Sequence, residues 1–386
     1  MAFTHQYDRK MPKNVLPTGH CPGPTSKRRG HMSSVQTSML TVATLSYVPQ
    51  ALVALGSAHK VGTARRHFLF ALDAPAASIL KLREVLDENG YGWVEIFGPD
   101  DLGDLRSSFL KTFTYYTAFE VANVAKYIGI RHVLSRKESE EICVFVDSDT
   151  YFVADVGRVL EEMQNAAILL TPHQIGPSSD ELEQEYLLHG WLNSGFSAYR
   201  RLHPQTPAIL QWLTDRISRR AYLATHFGLS GDQPWLSGCP IIFSADTCVT
   251  FHPGMNVAYW NLTERKISLV NQEFRVNNHP LIFFHFSGFD VSRPLELSKH
   301  ARTQMVEGSA LAEICRLYSL ELKRTDQIRP ILLQLETLSF TSGNLQTRMY
   351  AGTKENNISF ASPGIRPGIL VRLAMKIEAL LSQIIS

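Results

Sequence analysis

The 386-residue sequence has little net charge, few cysteines, no internal repeat and no clean membrane span. Lys and Arg number 38 against 36 Asp and Glu, a formal charge of +2, so there is no broad basic field to hold nucleic acid. The five cysteines (Cys21, Cys143, Cys239, Cys248, Cys315) are an odd set without the paired spacing of a thiolate metal site, and Cys143 falls in an apolar run. Buried free thiols in a reducing, cytoplasmic compartment fit them better than a disulfide framework. The greasiest stretch, "MLTVATLSYVPQALVALG" (39–56), is broken by Pro49 and seeded with Ser and Thr. It reads as strand, turn and helix, with a signal anchor as the lesser alternative.

What remains is ordinary globular composition, 44% hydrophobic, enough for one large domain with additions or for two. Residues 1–37, with "PTGHCPGPTSKRRGH" as their extreme, read as a disordered leader. From residue 38, strand and helix patterns alternate. "MLTVATLS" precedes the helical "PQALVALGSAHKVG", and "HFLFALD" is a strand ending at Asp73. "AASILKLREVLDENG" is an amphipathic helix closed by Gly90, and "GWVEIF" is a third strand. A long helix in "YYTAFEVANVAKYIGIRHVLSR" leads to the strand "ICVFV". The alternation predicts an α/β fold with a mainly parallel sheet flanked by helices, whose ligands gather at the carboxyl ends of strands. Residues 297–324 look helical, 340–366 read as a flexible connection, and "ILVRLAMKIEALLSQII" (369–385) is an apolar amphipathic helix. That last helix either packs on its own domain or makes peripheral contact with a membrane.

The stretch "CVFVDSDTYFV" (143–153) sets a greasy strand against two carboxylates. In an extended segment alternate side chains share a face, so Asp147 and Asp149 point one way and Ser148 the other. Carboxylates held that close repel unless a cation or paired donors sit between them. Hard oxygen ligands suit Mg²⁺ or Mn²⁺, which leave positions for substrate phosphates. An acidic turn facing water is the plain alternative. Downstream, "LLHGWLNSGFSAYR" contains Asn193 and Gly195, "GDQPWLS" contains Asp232 and Gln233, "HPGMNVAYWNL" spans 252–262, and "FFHFSGFD" contains His285 and Gly288. His285 leaves an aromatic strand for a tight Ser-Gly turn, where an imidazole could complete a carboxylate shell acceptable to Mn²⁺; a satisfied core histidine is the competing reading. Gly288 would let main-chain N–H groups approach a phosphate.

In their order, these motifs resemble the GT-A glycosyltransferases, most closely the family-eight-like enzymes, in which D-x-D after a strand is followed by N-x-G, a D-Q pair and H-x-x-G. The resemblance covers residues 147–288 and reaches more weakly to about 38 and 325. It divides the chain into the leader, a nucleotide-sugar transferase domain at 38–325 and a helical extension at 326–386. It implies metal-dependent transfer of a sugar from a UDP- or GDP-linked donor to a glycan or lipid-linked saccharide, with retention. Asp147, Asp149 and His285 would hold Mn²⁺ or Mg²⁺. Gln233 would lie beside the anomeric carbon and Asp232 on donor hydroxyls. Thr44 and Asp73 would meet the base and ribose, and Ser148, Asn193, Gly195 and Gly288 would line the donor site.

Blander readings stand beside each of these. Asp73 can cap the helix "AASIL", Asp232 and Gln233 can be a capping turn, and Asn193-Ser194-Gly195 can be a turn between strands. Tyr259, Trp260 and Asn261 suggest an aromatic wall with a polar handle, or simply core packing; His173 is a candidate for the acceptor side. The chain has "HFSGFDVSRP" where the family has H-x-G-x-x-K-P-W, so Arg293 is the available cation there, and Lys126 or Arg131 stands in for a helical arginine before D-x-D. These departures leave donor and stereochemistry open. Two rivals remain: a haloacid-dehalogenase-like phosphatase, whose D-x-D-x-[TV] finds Tyr151 at its fifth place, and a non-catalytic nucleotide- or carbohydrate-binding module.

Overall fold

Strands buried on both faces need near-continuous apolar runs, and "TSMLTVA" and "ICVFV" are buried at every residue. The computed structural model describes residues 36–356 except 139, 294, 295 and 305, so nearly all of the leader and the helix expected at 369–385 lie outside the described residues. Strand β1 (Thr37–Ala43) is followed by α1 (Val48–Lys60), β2 (Arg66–Ala71), α2 (Ala76–Glu88) and β3 (Val94–Phe97). Helices α3 (Leu105–Thr112) and α4 (Ala118–Ser135) lead into β4 (Ile142–Val146) and the short β5 (Thr150–Phe152). Next come α5 (Gly157–Leu160), β6 (Ile168–Pro172), α6 (Asp180–His189), β7 (Leu192–Arg200) and α7 (Thr206–Arg220). The hairpin of β8 (Leu223–Ala224) and β9 (Leu229–Ser230) precedes α8 (Gln233–Ile242) and β10 (Thr247–Val249). A small antiparallel sheet follows, made of β11 (Ile267–Val270), β12 (Glu273–Val276) and β13 (His279–Pro280). Strand β14 (Phe283–His285) pairs with β5, and β15 (Glu296–Ser298) forms a hairpin with β16 (Ala301–Gln304). Helices α9 (Ala310–Thr325), α10 (Arg329–Leu332) and α11 (Leu345–Asn356) complete the described chain.

Among the described residues, seven strands form one sheet in the order β10–β6–β7–β4–β1–β2–β3. All its neighbours pair in parallel except β7, which runs against both β4 and β6. This is the α/β class expected from the alternation of patterns. Successive side chains divide between two cores: Met39, Leu69 and Ala71 pack with α1 and α2, while Leu40, Phe68 and Phe70 pack with α4 and α7. Helix α4 starts at a capping box, Thr117 N–H donating to Glu120 Oε2 at 2.9 Å. It lies close on the sheet because Gly129 has no side chain; a Cβ there would stand 3.1 Å from Leu40 Cδ2 and 3.3 Å from Phe70 Cδ1. That approach brings Lys126, one turn earlier, to the end of β4.

Three local expectations differ from the structure. Residues 297–324 are not one helix: the β15–β16 hairpin fills 296–304, and α9 begins only after Gly308 takes φ +76° and Ser309 Oγ caps Ala312 N–H. Residues 345–356, expected in a flexible connection, form α11, whose Arg348 makes a buried ion pair with Glu120 and whose Met349 joins the α4–α7 core. The Asp147–Asp149 segment is a turn between β4 and β5, not extended strand. The described cysteines, Cys143, Cys239, Cys248 and Cys315, are buried thiols, as expected. Residues 39–56 are strand, 3₁₀ turn and helix, and among the described residues no helix is long and apolar enough to cross a membrane.

Candidate active site

Where β4 runs out of apolar residues its chain turns sharply, and that turn is stitched on both sides. Asp147 N–H donates to Gly195 O at 3.0 Å, Thr150 Oγ1 to Asp147 O at 2.9 Å, and Phe286 N–H to Asp149 O at 2.7 Å. The β5–β14 ladder sets His285 opposite Thr150. The two carboxylates therefore converge through the turn rather than through strand alternation. His285 Nε2 lies 3.1 Å from Asp149 Oδ1 and 3.9 Å from Asp147 Oδ2. One ligand atom from each of Asp147, Asp149 and His285 falls within a 4.8 Å span, with the acids about a third exposed and the imidazole buried. Two carboxylates and an imidazole facing one small volume are a donor set suited to Mn²⁺, and to Mg²⁺ through the acids.

The electrostatics explain how such a cluster survives. Burial raises the Asp147 carboxyl above its usual range, only partly offset by Lys126 and His285 and reinforced by the neighbouring Asp149 charge. Burial opposes ionisation of Asp149 too, but the attraction and hydrogen bond of His285 hold it below the ordinary value. His285 is raised in turn: burial opposes its charge, and the two acids overcome that. Lys126 behaves likewise; it is buried, yet held charged by Asp147 at 3.4 Å and Asp232 at 3.2 Å. Its ammonium also donates to Ser194 O and Oγ at 3.1 and 2.9 Å. Lys126 thus joins the metal-type trio to the D-Q pair.

Asp232 and Gln233 open α8, but Asp232 makes no side-chain cap. Its Oδ2 accepts from Tyr127 Oη at 2.9 Å as well as facing Lys126. Gln233 Oε1 accepts from Asn193 Nδ2 at 3.0 Å, and its Nε2 donates to His189 O at 3.3 Å. Asn193 and Gly195 lie inside β7, not in a turn between strands. Gly195 is dictated by the imidazole: a Cβ there would stand 2.5 Å from His285 Cε1. His173 is buried, with Nε2 3.1 Å from Asn193 Nδ2, and burial pushes it down to about 3. Trp260 meets His285 edge-on at 5.2 Å, whereas Asn261 is an internal knot donating to His173 O and Asn256 O.

The remaining candidates, Ser148 excepted, make no hydrogen bond or ion pair with the acids or His285. Asp73 Oδ1 accepts Leu45 N–H at 2.8 Å, tying the end of β2 to the turn after β1; it does not cap α2. Burial raises it to about 6. Thr44 Oγ1 pairs with Ser46 Oγ at 2.9 Å beside it. Ser148 lies in the turn between the two acids. Gly288 has φ +72° and accommodates His300, whose Cδ2 a Cβ would meet at 2.6 Å. Arg293 is exposed and paired with Glu296 at 3.4 Å, with no contact to the acids. Two contributors were not singled out from sequence: Tyr127, which follows Lys126 on α4, and Asn256, which takes φ +51° after Pro253-Gly254-Met255. An Asn two residues beyond a Pro-Gly pair was the available hint of the second.

Comparison with known proteins finds no matching family model. The chain is 27% identical over 216 residues to the uncharacterized protein YfnD of Bacillus subtilis (strain 168), covering 56% of this chain and 68% of that protein. It is 29% identical over 170 residues to the uncharacterized protein YfnF of the same organism, covering 43% and 55%. Among solved structures it is similar to the galactosyltransferase LgtC in complex with donor and acceptor sugar analogs, at 12% identity and a TM-score of 0.46 over 73% of this chain and 95% of that one. It is also similar to the glycosyltransferase GlyE of Streptococcus pneumoniae TIGR4, at 13% identity and a TM-score of 0.41 over 80% and 66%. The geometry of the site, not these distant likenesses, carries the chemistry.

Proposed function

We propose that the protein is a metal-dependent glycosyltransferase of GT-A type, moving a sugar with retention from a UDP- or GDP-linked donor to a glycan or lipid-linked saccharide. One observation carries the reading: Asp147 and Asp149 from one strand end meet His285 from far along the chain, and Gln233 is bonded into the same constellation through Asn193. The acids and His285 Nε2 would hold Mn²⁺ or Mg²⁺. When bound, such an ion neutralises charge on a departing diphosphate. Gln233 offers a neutral carboxamide whose dipole steadies positive charge at the anomeric carbon without trapping it as a stable adduct. Lys126 holds Asp147 and Asp232 in place, the latter through Oδ2, and Asp232 is assigned to donor hydroxyls. Thr44 and Asp73, at neighbouring strand ends, are assigned to the nucleotide. A phosphatase of the D-x-D-x-[TV] type would have Thr or Val at position 151, where this chain has Tyr151. The acceptor class follows from the resemblance in sequence, the cytoplasmic place of action from the cysteine set, and peripheral membrane contact from the amphipathic pattern of 369–385, outside the described residues.

The test is thermal denaturation against a panel of UDP- and GDP-sugars with and without Mn²⁺. A donor at about a hundred times its Kd stabilises the native state by about 2.7 kcal/mol. That shift is expected only when metal and the right donor are both present, and Asp149→Ala should abolish it with the fold intact. Equal stabilisation or turnover in chelator would overturn the assignment.

A further inference from the structure

A neutral imidazole offers a lone pair at one nitrogen only while the other carries the proton, so the partner of the second nitrogen decides which way the ring can ligate. His285 Nδ1 lies 3.0 Å from Asn256 Oδ1. Asn256 is fully buried, and its Nδ2 lies 2.8 Å from Asn193 Oδ1 and 3.4 Å from Thr171 Oγ1. Asn193 Nδ2 continues to Gln233 Oε1, and Gln233 Nε2 to the His189 carbonyl. An amide can be turned end for end, so such a chain has two polarities. Here backbone groups choose between them. Gly195 N–H donates to Asn193 Oδ1 at 2.8 Å, so that atom is the oxygen. The His189 carbonyl only accepts, so Gln233 turns its nitrogen toward it. With both ends pinned, Asn256 must give its NH₂ to Asn193 and its oxygen to His285. The ring must then donate from Nδ1. The opposite tautomer would set Asn256 oxygen against Asn193 oxygen, or pass the mismatch on to Gly195 N–H or the His189 carbonyl.

We infer that Asn256 is a positioning residue: it fixes His285 with its lone pair at Nε2, facing Asp147 and Asp149, and couples that trio to Gln233 through Asn193. The inference rests on reading the trio as a cation site. Two substitutions separate the links. Asn256→Asp keeps an oxygen for His285 Nδ1–H but cannot donate to Asn193, whereas Asn256→Leu loses both bonds at similar volume. Mn²⁺ affinity, read by electron paramagnetic resonance, should be at least as tight as wild type in Asn256→Asp and 10–100-fold weaker in Asn256→Leu. Turnover should fall 10–100-fold in both. Mn²⁺ affinity in Asn256→Leu equal to wild type would show a space-filling role only and overturn the proposal.

A second measurement needs no substitution in the network. Proton–nitrogen correlation of histidine-labelled, metal-free full-length protein at pH 9, with His285 assigned by its loss in His285→Gln, should show the proton on Nδ1. A bare Nδ1, with the ring's sole proton on Nε2, overturns the inference even if neither Asn256 variant folds. Wild-type protein that shows the Nδ1 proton but binds no Mn²⁺ would instead refute the cation reading, so the two failures are distinguishable.

Discussion

Gly195→Ala adds one methyl group at the point where β7 passes beneath His285. Its Cβ would stand 2.5 Å from His285 Cε1, 2.7 Å from Nδ1 and 2.8 Å from Asn193 Oδ1. Ordinary carbon contacts begin near 3.5 Å, so something must yield by roughly 1 Å. The backbone of residue 195 cannot: its carbonyl accepts Asp147 N–H and its N–H donates to Asn193. The imidazole is therefore displaced, against Asn256 and the edge of Trp260, and its 3.1 Å approach to Asp149 opens. Overpacking of this kind costs about 1–3 kcal/mol of stability, and a misplacement of about 1 Å in a catalytic constellation costs about 100-fold in rate. The expected result is a folded protein with a lower urea midpoint, at least tenfold weaker Mn²⁺ binding by calorimetry, and about 100-fold slower transfer. Gly56→Ala in α1, where a Cβ meets nothing within 4 Å, is the matched control and should stabilise by about 0.5–1 kcal/mol. If Gly195→Ala binds Mn²⁺ and turns over like wild type, the steric argument fails.

Lys126→Met removes the buried cation between Asp147 and Asp232 and should cost about 3 kcal/mol in urea denaturation, the lower end for a broken buried pair because Asp147 is partly wetted; unchanged stability would mean that the acids need no internal counter-charge. His67 is buried with Nε2 unpartnered, and burial with the nearby His59 pushes it down to about 4. The unfolded chain takes up that proton near pH 6.5, so the stability linked to His67 is full above about 6.5 and drains as pH falls toward 4. Replacing it by Gln should shrink the stability difference between pH 7 and pH 5 by about 2 kcal/mol at most, and an unaltered difference would place the titration elsewhere.

The parallel sheet was legible because buried strands announce themselves as short apolar runs between helical periods; β3 and β4 lie in the stretches that predicted them, and β1 and β2 overlap theirs. The acids and His285 were legible as residue types in order, and Lys126 as one of two cations, with Arg131, on the helix before D-x-D. The cause of their convergence was not. Alternation along a strand suggested a shared face for Asp147 and Asp149, but a turn held by Gly195, Thr150 and Phe286 aims them, and those hydrogen bonds exist only in the folded chain. Helix α11 was missed for a similar reason: its sequence carries Gly352 and little apolar periodicity, and its place is fixed by Arg348 reaching Glu120, 228 positions earlier. Asn256 escaped because its importance lies in what both ends of one amide touch, which spacing does not encode.

The reversed direction of β7 has a consequence for how this protein can diversify. Its neighbours deliver their last residues to the rim, while β7 delivers its first, Asn193 and Gly195. The segment arriving there, residues 175–191 with α6 inside it, is consequently a largely exposed excursion rather than a crossover between parallel strands, and it borders Gln233 through the His189 carbonyl. Loops of that kind tolerate changes of length and composition. Under the proposed function, preference for one sugar or another would drift along this excursion while the strand ends carrying Asp147 and Asp149 stay as they are.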